Sequence, residues 1–219
     1  MNRESVHDES RDPSDVRSRL DTLGIESDVL ARVVGHAVSE SFHCTLHDPP
    51  TASGMRAYFG AVRHLRDELV PRGWTASNDR NYCTVMHPLG AMAIATCSGN
   101  EATGRCRETP ATRSVKGPVT HAIVSANQIA LFDTQQYAVS SCATGPEGPV
   151  TWILLYHIDE RAGEVRCELS LPTRITADHV DGWRERIILT PLSIDSVLTQ
   201  QRAAFIEEEI DVNVQRRAN

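Results

Sequence analysis

The sequence predicts an α+β fold: an antiparallel or mixed sheet built from two hairpins, packed by helices, with an N-terminal helical pair. Two observations carry this prediction. Two pairs of short apolar segments are each joined by a turn signal, which is typical of hairpins. Other segments have apolar residues at helical spacing, and they do not alternate with the strands as a repeated β-α-β pattern would require.

Composition and helix signals suggest the domain boundaries. Residues 1–12 are mostly polar, and we expect a disordered tail there. Pro13 then opens a region with two helical patterns, so residues 13–48 are predicted to form an N-terminal helical subdomain. The main α+β domain is predicted to span residues 55–219, since a chain of 219 residues fits one domain with a small appendage.

The clearest helix is predicted at residues 55–70, where large apolar residues recur at intervals of three and four. Pro71 and Gly73 are the signals that end it. We expect one face of this helix to pack on the sheet through Tyr58, Phe59, Val62, Leu65 and Leu69.

The two predicted hairpins span residues 80–97 and 150–171, and we expect both in one sheet. A turn at residues 87–90 joins the strands of the first hairpin. In the second, a continuously apolar strand is followed by one in which apolar and polar residues alternate. The remaining segments are predicted as helices at 119–132 and 194–210, loops at 98–118 and 133–149, and an ambiguous segment at 176–189.

Composition and charge exclude several function classes. A net charge of −7 argues against a protein that coats nucleic acid non-specifically, since such a protein needs a positive field. No run approaches the ~18 apolar residues of a membrane span, and the N-terminus lacks the apolar segment of a secretory signal. We therefore expect a cytoplasmic protein that does not enter the membrane and whose six cysteines are free thiols.

The loop at 98–118 carries a local excess of positive charge in an acidic chain, and it contains the only lysine among 22 basic residues. It ends where a helix is predicted to begin, and helix N-termini favour anions. We predict a phosphate or carboxylate site there, with a solvated surface loop as the alternative. The candidate ligands are Arg105, Arg107, Arg113, Lys116, Gly117 and Thr120.

A second candidate site lies on the second predicted helix. His36, Glu40, His43 and His47 are spaced so that they share one face of a continuous helix. Imidazoles four residues apart can bind one metal ion, and a carboxylate can complete the set of ligands. We favour the alternative, a solvated histidine-rich face without metal.

Two weaker patterns also involve metal chemistry. Cys83 and His87 have the spacing of a possible ligand pair at a strand end. Glu68, Asp159 and Glu168 could support a metal-dependent nuclease, yet Ser170 stands where restriction-type nucleases have a lysine. We favour a solvent-facing strand glutamate at position 168.

Trp183, Arg184 and Arg186 are candidates for a partner-binding face, because tryptophan and arginine dominate the energetics of protein interfaces. We favour a different interpretation of residues 183–186, a helical turn that lies on the sheet.

Four stretches resemble uncharacterised proteins of bacterial mobile elements and prophages, and the resemblance spans roughly residues 55–189. The stretches are GNEATG (99–104), SVKGPVT (114–120), VRCELSLP (165–172) and WRERIIL (183–189). Similar proteins often have an acid at the place of Asn100, which weakens any metal role for that loop here. The resemblance implies no activity, and it favours a role in phage, plasmid or host-defence conflict.

Two main function hypotheses follow. The first is a non-catalytic protein that binds a partner protein, for example an inhibitor or modulator of a host defence or nucleic-acid-processing system. The alternative is an enzyme or sensor that binds a phosphate-bearing ligand, either a nucleotide or nucleic acid, through residues 98–120. A metal-dependent nuclease is the third hypothesis. The sequence indicates no particular catalytic residue or cofactor.

Overall fold

The computed structural model describes residues 8–10, 12–136 and 149–209, which form eight strands and five α-helices. The strands are β1 (Asp8–Ser10), β2 (Thr75–Ser77), β3 (Thr84–Met86), β4 (Met92–Ser98), β5 (Val150–Asp159), β6 (Glu164–Thr176), β7 (His179–Ile188) and β8 (Leu192–Ser193). The helices are α1 (Pro13–Thr22), α2 (Ser27–Phe42), α3 (Ala52–Leu69), α4 (Pro118–Gln136) and α5 (Ile194–Glu209).

All eight strands belong to one mixed sheet with the order β1-β7-β6-β5-β4-β3-β2, and β8 pairs with β6. The pairs β4–β5 and β1–β7 are parallel, and the other pairs are antiparallel. The chain passes from β4 through α4 to β5, so the fold contains a single β-α-β unit among the described residues. The predicted α+β class, with both hairpins in one sheet and an N-terminal helical pair, is confirmed.

Several local predictions need correction. β1 lies in the tail that was expected to be disordered, and it pairs with β7 at Asp8–Ser10. The first hairpin has its first strand only from Thr84, because residues 79–81 form a short 3-10 turn. Residues 133–136 continue α4 instead of starting a loop, and the rest of that predicted loop, 137–148, lies outside the described residues, as do residues 1–7 and 11.

One face of the sheet is covered by α1, α2, α3 and α5, which share one hydrophobic core with it. Alternate residues of the central strands point into this core, as the two-residue period of a strand requires. Representative buried side chains are Leu20, Leu30, Val34, Leu65, Leu154, Leu169 and Ile187. The two N-terminal helices therefore belong to the same core as the sheet and α3.

The opposite face of the sheet is covered by α4, by residues 99–117 and by the bent tip of the β6–β7 hairpin. Register shifts in this hairpin around Pro172 and Arg174 bring its tip over the sheet. The resulting smaller apolar cluster consists of Cys97, Val124, Ile153, Leu155, Val180 and Trp183. We call residues 99–117 the covering loop.

The buried face of α3 differs from the prediction. Leu65 and Leu69 are buried as expected, whereas Phe59 is 58% exposed. The cause is the close approach of α2: a Cβ at Gly60 would lie 2.9 Å from Glu40 Cγ. Small residues on this side of α3 allow the contact, and they rotate Phe59 toward solvent.

No helix among the described residues combines the length and apolar character needed to cross a membrane.

Candidate functional site

The covering loop is fastened to the sheet through its backbone. Its carbonyl oxygens accept hydrogen bonds from three buried side chains of β6 and β7. Arg166 donates to Glu101 O and Thr103 O, Arg186 to Arg105 O and Glu108 O, and Trp183 Nε1 to Pro110 O, at 2.8–3.2 Å. Because buried carbonyl groups need partners, these bonds hold the loop in one conformation.

A buried ion pair lies beneath the covering loop. Arg186, 1% exposed, donates to both carboxylate oxygens of Glu168, which is 0% exposed, at 3.1 and 2.5 Å. Glu168 also accepts hydrogen bonds from Ser170 Oγ (2.8 Å) and from the Gly104 N–H (3.0 Å). Burial opposes the charge on Arg186, but the hydrogen bonds and charges of Glu168 and Glu9 outweigh it and raise the pKa of Arg186.

A second buried arginine binds the start of the covering loop. Arg166, with 4% of its side chain exposed, donates to Asp159 Oδ2 at 3.3 Å and to Glu164 Oε1 at 2.6 Å. Its remaining bonds reach the loop carbonyls named above. The polar residues of β6 on this face are thus paired with charges or backbone groups, which is how buried charges are accommodated.

The six residues of the predicted anion site lie in different environments. Arg105 pairs with Glu108 on the surface, and Arg107, Arg113 and Gly117 are exposed. Lys116 points inward to Cys97, and Thr120 is buried. Among the described hydrogen bonds and ion pairs, only the bond from Thr120 N to Gly117 O joins two of the six. That they bind an anion stays a prediction, and the Lys116 ammonium is already engaged by Cys97.

The four residues of the predicted histidine stripe do not share one helix face, because α2 ends at Phe42. His43 caps the helix and contacts Glu40 at 3.6 Å, and His47 follows in an exposed turn. His36 instead stacks on His64 of α3, with ring centroids 3.5 Å apart. Among the described residues, no three His, Cys, Asp or Glu side chains lie close enough together to hold a metal ion.

The stacked histidines should make the free energy of unfolding depend on pH. Burial lowers the pKa of His36 and His64 below the ordinary value of 6.5, and the charge of His36 further lowers that of His64. The unfolded chain therefore binds more protons once the pH falls below 6.5, so we expect the free energy of unfolding to decrease on acidification. Urea unfolding at about pH 7.5 and about pH 5.5 measures this.

Replacing His36 and His64 by glutamine should flatten this pH dependence, whereas replacing the exposed His47 should leave it unchanged. An undiminished pH dependence in the double variant would show that the stacked pair is not its source.

The carboxylates proposed for a nuclease are held at separate places by different arginines. Glu68 binds Arg32 and Arg72, and the hydrogen bond from Arg32 lowers the pKa of Glu68 to about 2. Asp159 pairs with Arg166. Glu168 was expected to face solvent and is instead fully buried.

The Cys83–His87 pair is not formed either. The Cys83 thiol lies 3.3 Å from Asn78 Oδ1, whereas the His87 ring packs edge-on against Trp74. Neither side chain contacts the other among the described interactions.

Residues 183–186 form part of β7, so the expected helical turn is wrong. Trp183 and Arg186 are buried against the covering loop, and only Arg184 is exposed. These three residues therefore do not form one surface for a partner.

An exposed surface with interface composition lies instead on α3. Met55 and Phe59 are 52% and 58% exposed, and Arg56 and Arg63 are exposed beside them. Residues three and four positions apart on a helix are neighbours, so these four form one continuous patch. We call it the outer face of α3. The apolar spacing in the sequence identifies Met55 and Phe59, but it predicts that both lie in or next to the stripe that faces the core.

The pairing of Lys116 with Cys97 was not anticipated from the sequence. Lys116 Nζ donates to Cys97 Sγ at 2.8 Å, and Cys97 is 8% exposed. Burial raises the pKa of the Cys97 thiol, and the Lys116 ammonium opposes this shift. Burial also raises the pKa of the Tyr82 and Tyr156 phenols, and the electrostatic effect of Cys97 adds to this shift. Burial raises the pKa of Tyr58 to about 12.

Comparison of the chain with models of protein families, with characterised proteins and with solved structures found no match.

Proposed function

We propose that this chain is a non-catalytic protein that binds a partner protein through the outer face of α3. The exposure of Met55 and Phe59 is the observation that carries the proposal. Large apolar side chains at adjacent helical positions leave apolar area in water. Full burial of such a side chain contributes about 1.5–3 kcal/mol, so covering the exposed half of each contributes about half of that. Methionine, aromatic residues and arginine are also the types enriched at protein interfaces.

The charges around this patch indicate the chemistry of the partner. Arg56 and Arg63 border the two apolar residues. Arg63 forms an ion pair with Asp67 at 3.7 Å, and Asp48 lies within electrostatic reach of Arg56. A complementary surface therefore has an apolar groove flanked by carboxylates. The net charge of −7 does not prevent this contact, since charges more than roughly 10 Å away are screened at physiological salt.

The phosphate-ligand hypothesis receives less support than partner binding. It required the basic side chains of the covering loop to meet at one point, whereas Lys116 is directed inward to Cys97. Backbone N–H groups that an anion would need already donate within the protein: Gly104 N to Glu168, Arg113 N to Ser98 O and Lys116 N to Asp178 O. The arrangement suits a structural cover more than a cradle for an anion.

The resemblance to proteins of bacterial mobile elements extends the proposal. We propose that the partner belongs to a bacterial defence or nucleic-acid-processing system and that the chain inhibits or modulates it in the cytoplasm.

The test compares affinity capture by matched variants. Wild-type chain, Phe59→Asp and the double variant Arg56→Glu/Arg63→Glu are immobilised and exposed to a lysate of the source organism. We expect a partner that the wild type retains and both variants lose. For the purified pair, Phe59→Asp should weaken binding about ten- to a hundredfold, corresponding to ~1.5–3 kcal/mol.

Leu89→Asp and Val115→Asp are the matched controls, because both residues are exposed and apolar and lie outside α3. All variants should unfold at the wild-type temperature, since the replaced side chains are on the surface. If the α3 variants and the controls capture the same proteins as the wild type, the proposed function is wrong.

A further inference from the structure

The contact between Lys116 and Cys97 combines two reactive groups in a confined place. Lys116 is the only lysine of the chain, and its Nζ lies 2.8 Å from the Cys97 sulfur. Cys97 lies in β4 and is 8% exposed, whereas Lys116 is half-buried in the covering loop. A small oxidant can reach the sulfur more easily than a bulky alkylating reagent can.

The geometry already supplies what a bond between the two side chains requires. A reacting pair held at contact distance reacts as though each partner were present at very high concentration. The backbone keeps both ends in place, because Arg113 N donates to Ser98 O at 2.9 Å and Lys116 N donates to Asp178 O at 2.7 Å.

We infer that Lys116 and Cys97 form an oxidative cross-link, a sulfenamide between Nζ and Sγ, when the chain meets hydrogen peroxide. The site is independent of the outer face of α3 and of the proposed partner. The bond links Lys116 in the covering loop covalently to Cys97 in β4. Oxidation therefore adds a covalent restraint to a loop whose packing on the sheet otherwise depends on non-covalent contacts.

The reaction balances with one molecule of peroxide. Peroxide oxidises the Cys97 thiol by two electrons to a sulfenic acid and is itself reduced, and one water leaves. The Lys116 nitrogen gives its extra proton to solvent and attacks the sulfur. The S–N bond forms as the S–O bond breaks, and the oxygen leaves as a second water. The protein loses two hydrogen atoms.

Cys167 serves as an internal experimental control for this reaction. Cys167 lies in β6, two strands away from β4 in the sheet, and is 1% exposed. It has no lysine beside it, since the chain has no second lysine. Burial raises the pKa of Cys167 to about 12, so both thiols are shielded and only Cys97 has a nitrogen to trap its sulfenic acid.

The experiment uses the full-length chain. The accessible thiols are alkylated under native conditions, peroxide is added, and the protein is denatured without reductant and digested with trypsin. We expect the peptides that contain residues 97 and 116 to appear joined, lighter than their sum by about 2 Da for the two lost hydrogens. Cleavage after Lys116 should disappear, and dithiothreitol should restore it.

The melting temperature gives a second measure of the cross-link. The cross-link closes a loop between residues 97 and 116, so oxidation should raise the melting temperature by roughly 5–10 °C, reversibly. Lys116→Arg, Lys116→Gln and Cys97→Ser should abolish both the joined peptides and the reversible shift.

Three results would overturn the inference. The first is wild-type Cys97 that remains a free thiol after peroxide. The second is Cys97 recovered as sulfinic or sulfonic acid while trypsin still cleaves after Lys116. The third is a reversible rise in melting temperature that persists in Lys116→Arg.

Discussion

Replacing Arg186 by alanine is expected to lower the free energy of unfolding by about 3–5 kcal/mol, which is a large part of the stability of an ordinary domain. The replacement leaves the Glu168 carboxylate, 0% exposed, without its countercharge. It also removes the donors to two carbonyl oxygens of the covering loop. Urea unfolding followed by circular dichroism measures the loss.

Arg184→Ala is the matched control for this variant, since the two arginines lie two residues apart on β7 and Arg184 is exposed. Its stability should stay within about 0.5 kcal/mol of the wild type. Equal stabilities of the two variants would mean that the buried ion pair does not hold the covering loop.

Replacing Trp183 by alanine should be comparably severe, at about 3–5 kcal/mol, because the ring is 1% exposed and fills the cluster under the β6–β7 tip. Trp183→Phe separates the two contributions of this residue. It keeps most of the volume but loses the bond to Pro110 O, so we expect a loss of about 1–3 kcal/mol.

Both tryptophan variants are measured by the same urea unfolding experiment. If Trp183→Ala lowers the free energy of unfolding no more than Trp183→Phe does, the hydrogen bond dominates and the packing of the smaller apolar cluster contributes little. A wild-type stability for both would contradict the buried position of Trp183.

The sequence predicted the elements that have a simple period, and it failed where charged residues are buried. β5 and most of β6 were predicted correctly because their apolar residues follow the pattern of strands. β7 was missed because Glu185 and Arg186 look like a solvated face. Their partners, Arg19 and Glu168, are distant in sequence, so no local pattern indicates that these charges are paired.

Sequence patterns could not place the side chains of the predicted sites, for related reasons. Helical periodicity identified the apolar residues of α3, but it could not show that α2 approaches at Gly60 and leaves Phe59 in solvent. Local charge identified the covering loop, but the direction of each side chain depends on the sheet beneath it. The contact between Lys116 and Cys97 spans 19 positions and becomes visible only in three dimensions.

The central claim, that the outer face of α3 is where a partner binds, can be tested on the unmodified chain by hydroxyl-radical footprinting. The chain is oxidised briefly, alone and with the captured partner, and the modification of each exposed side chain is measured by mass spectrometry. We predict that the partner protects Met55 and Phe59 and leaves Leu89 and Val115 as reactive as before. Protection of Val115 with unchanged labelling of Met55 and Phe59 would contradict the account, because the partner would then bind the covering loop.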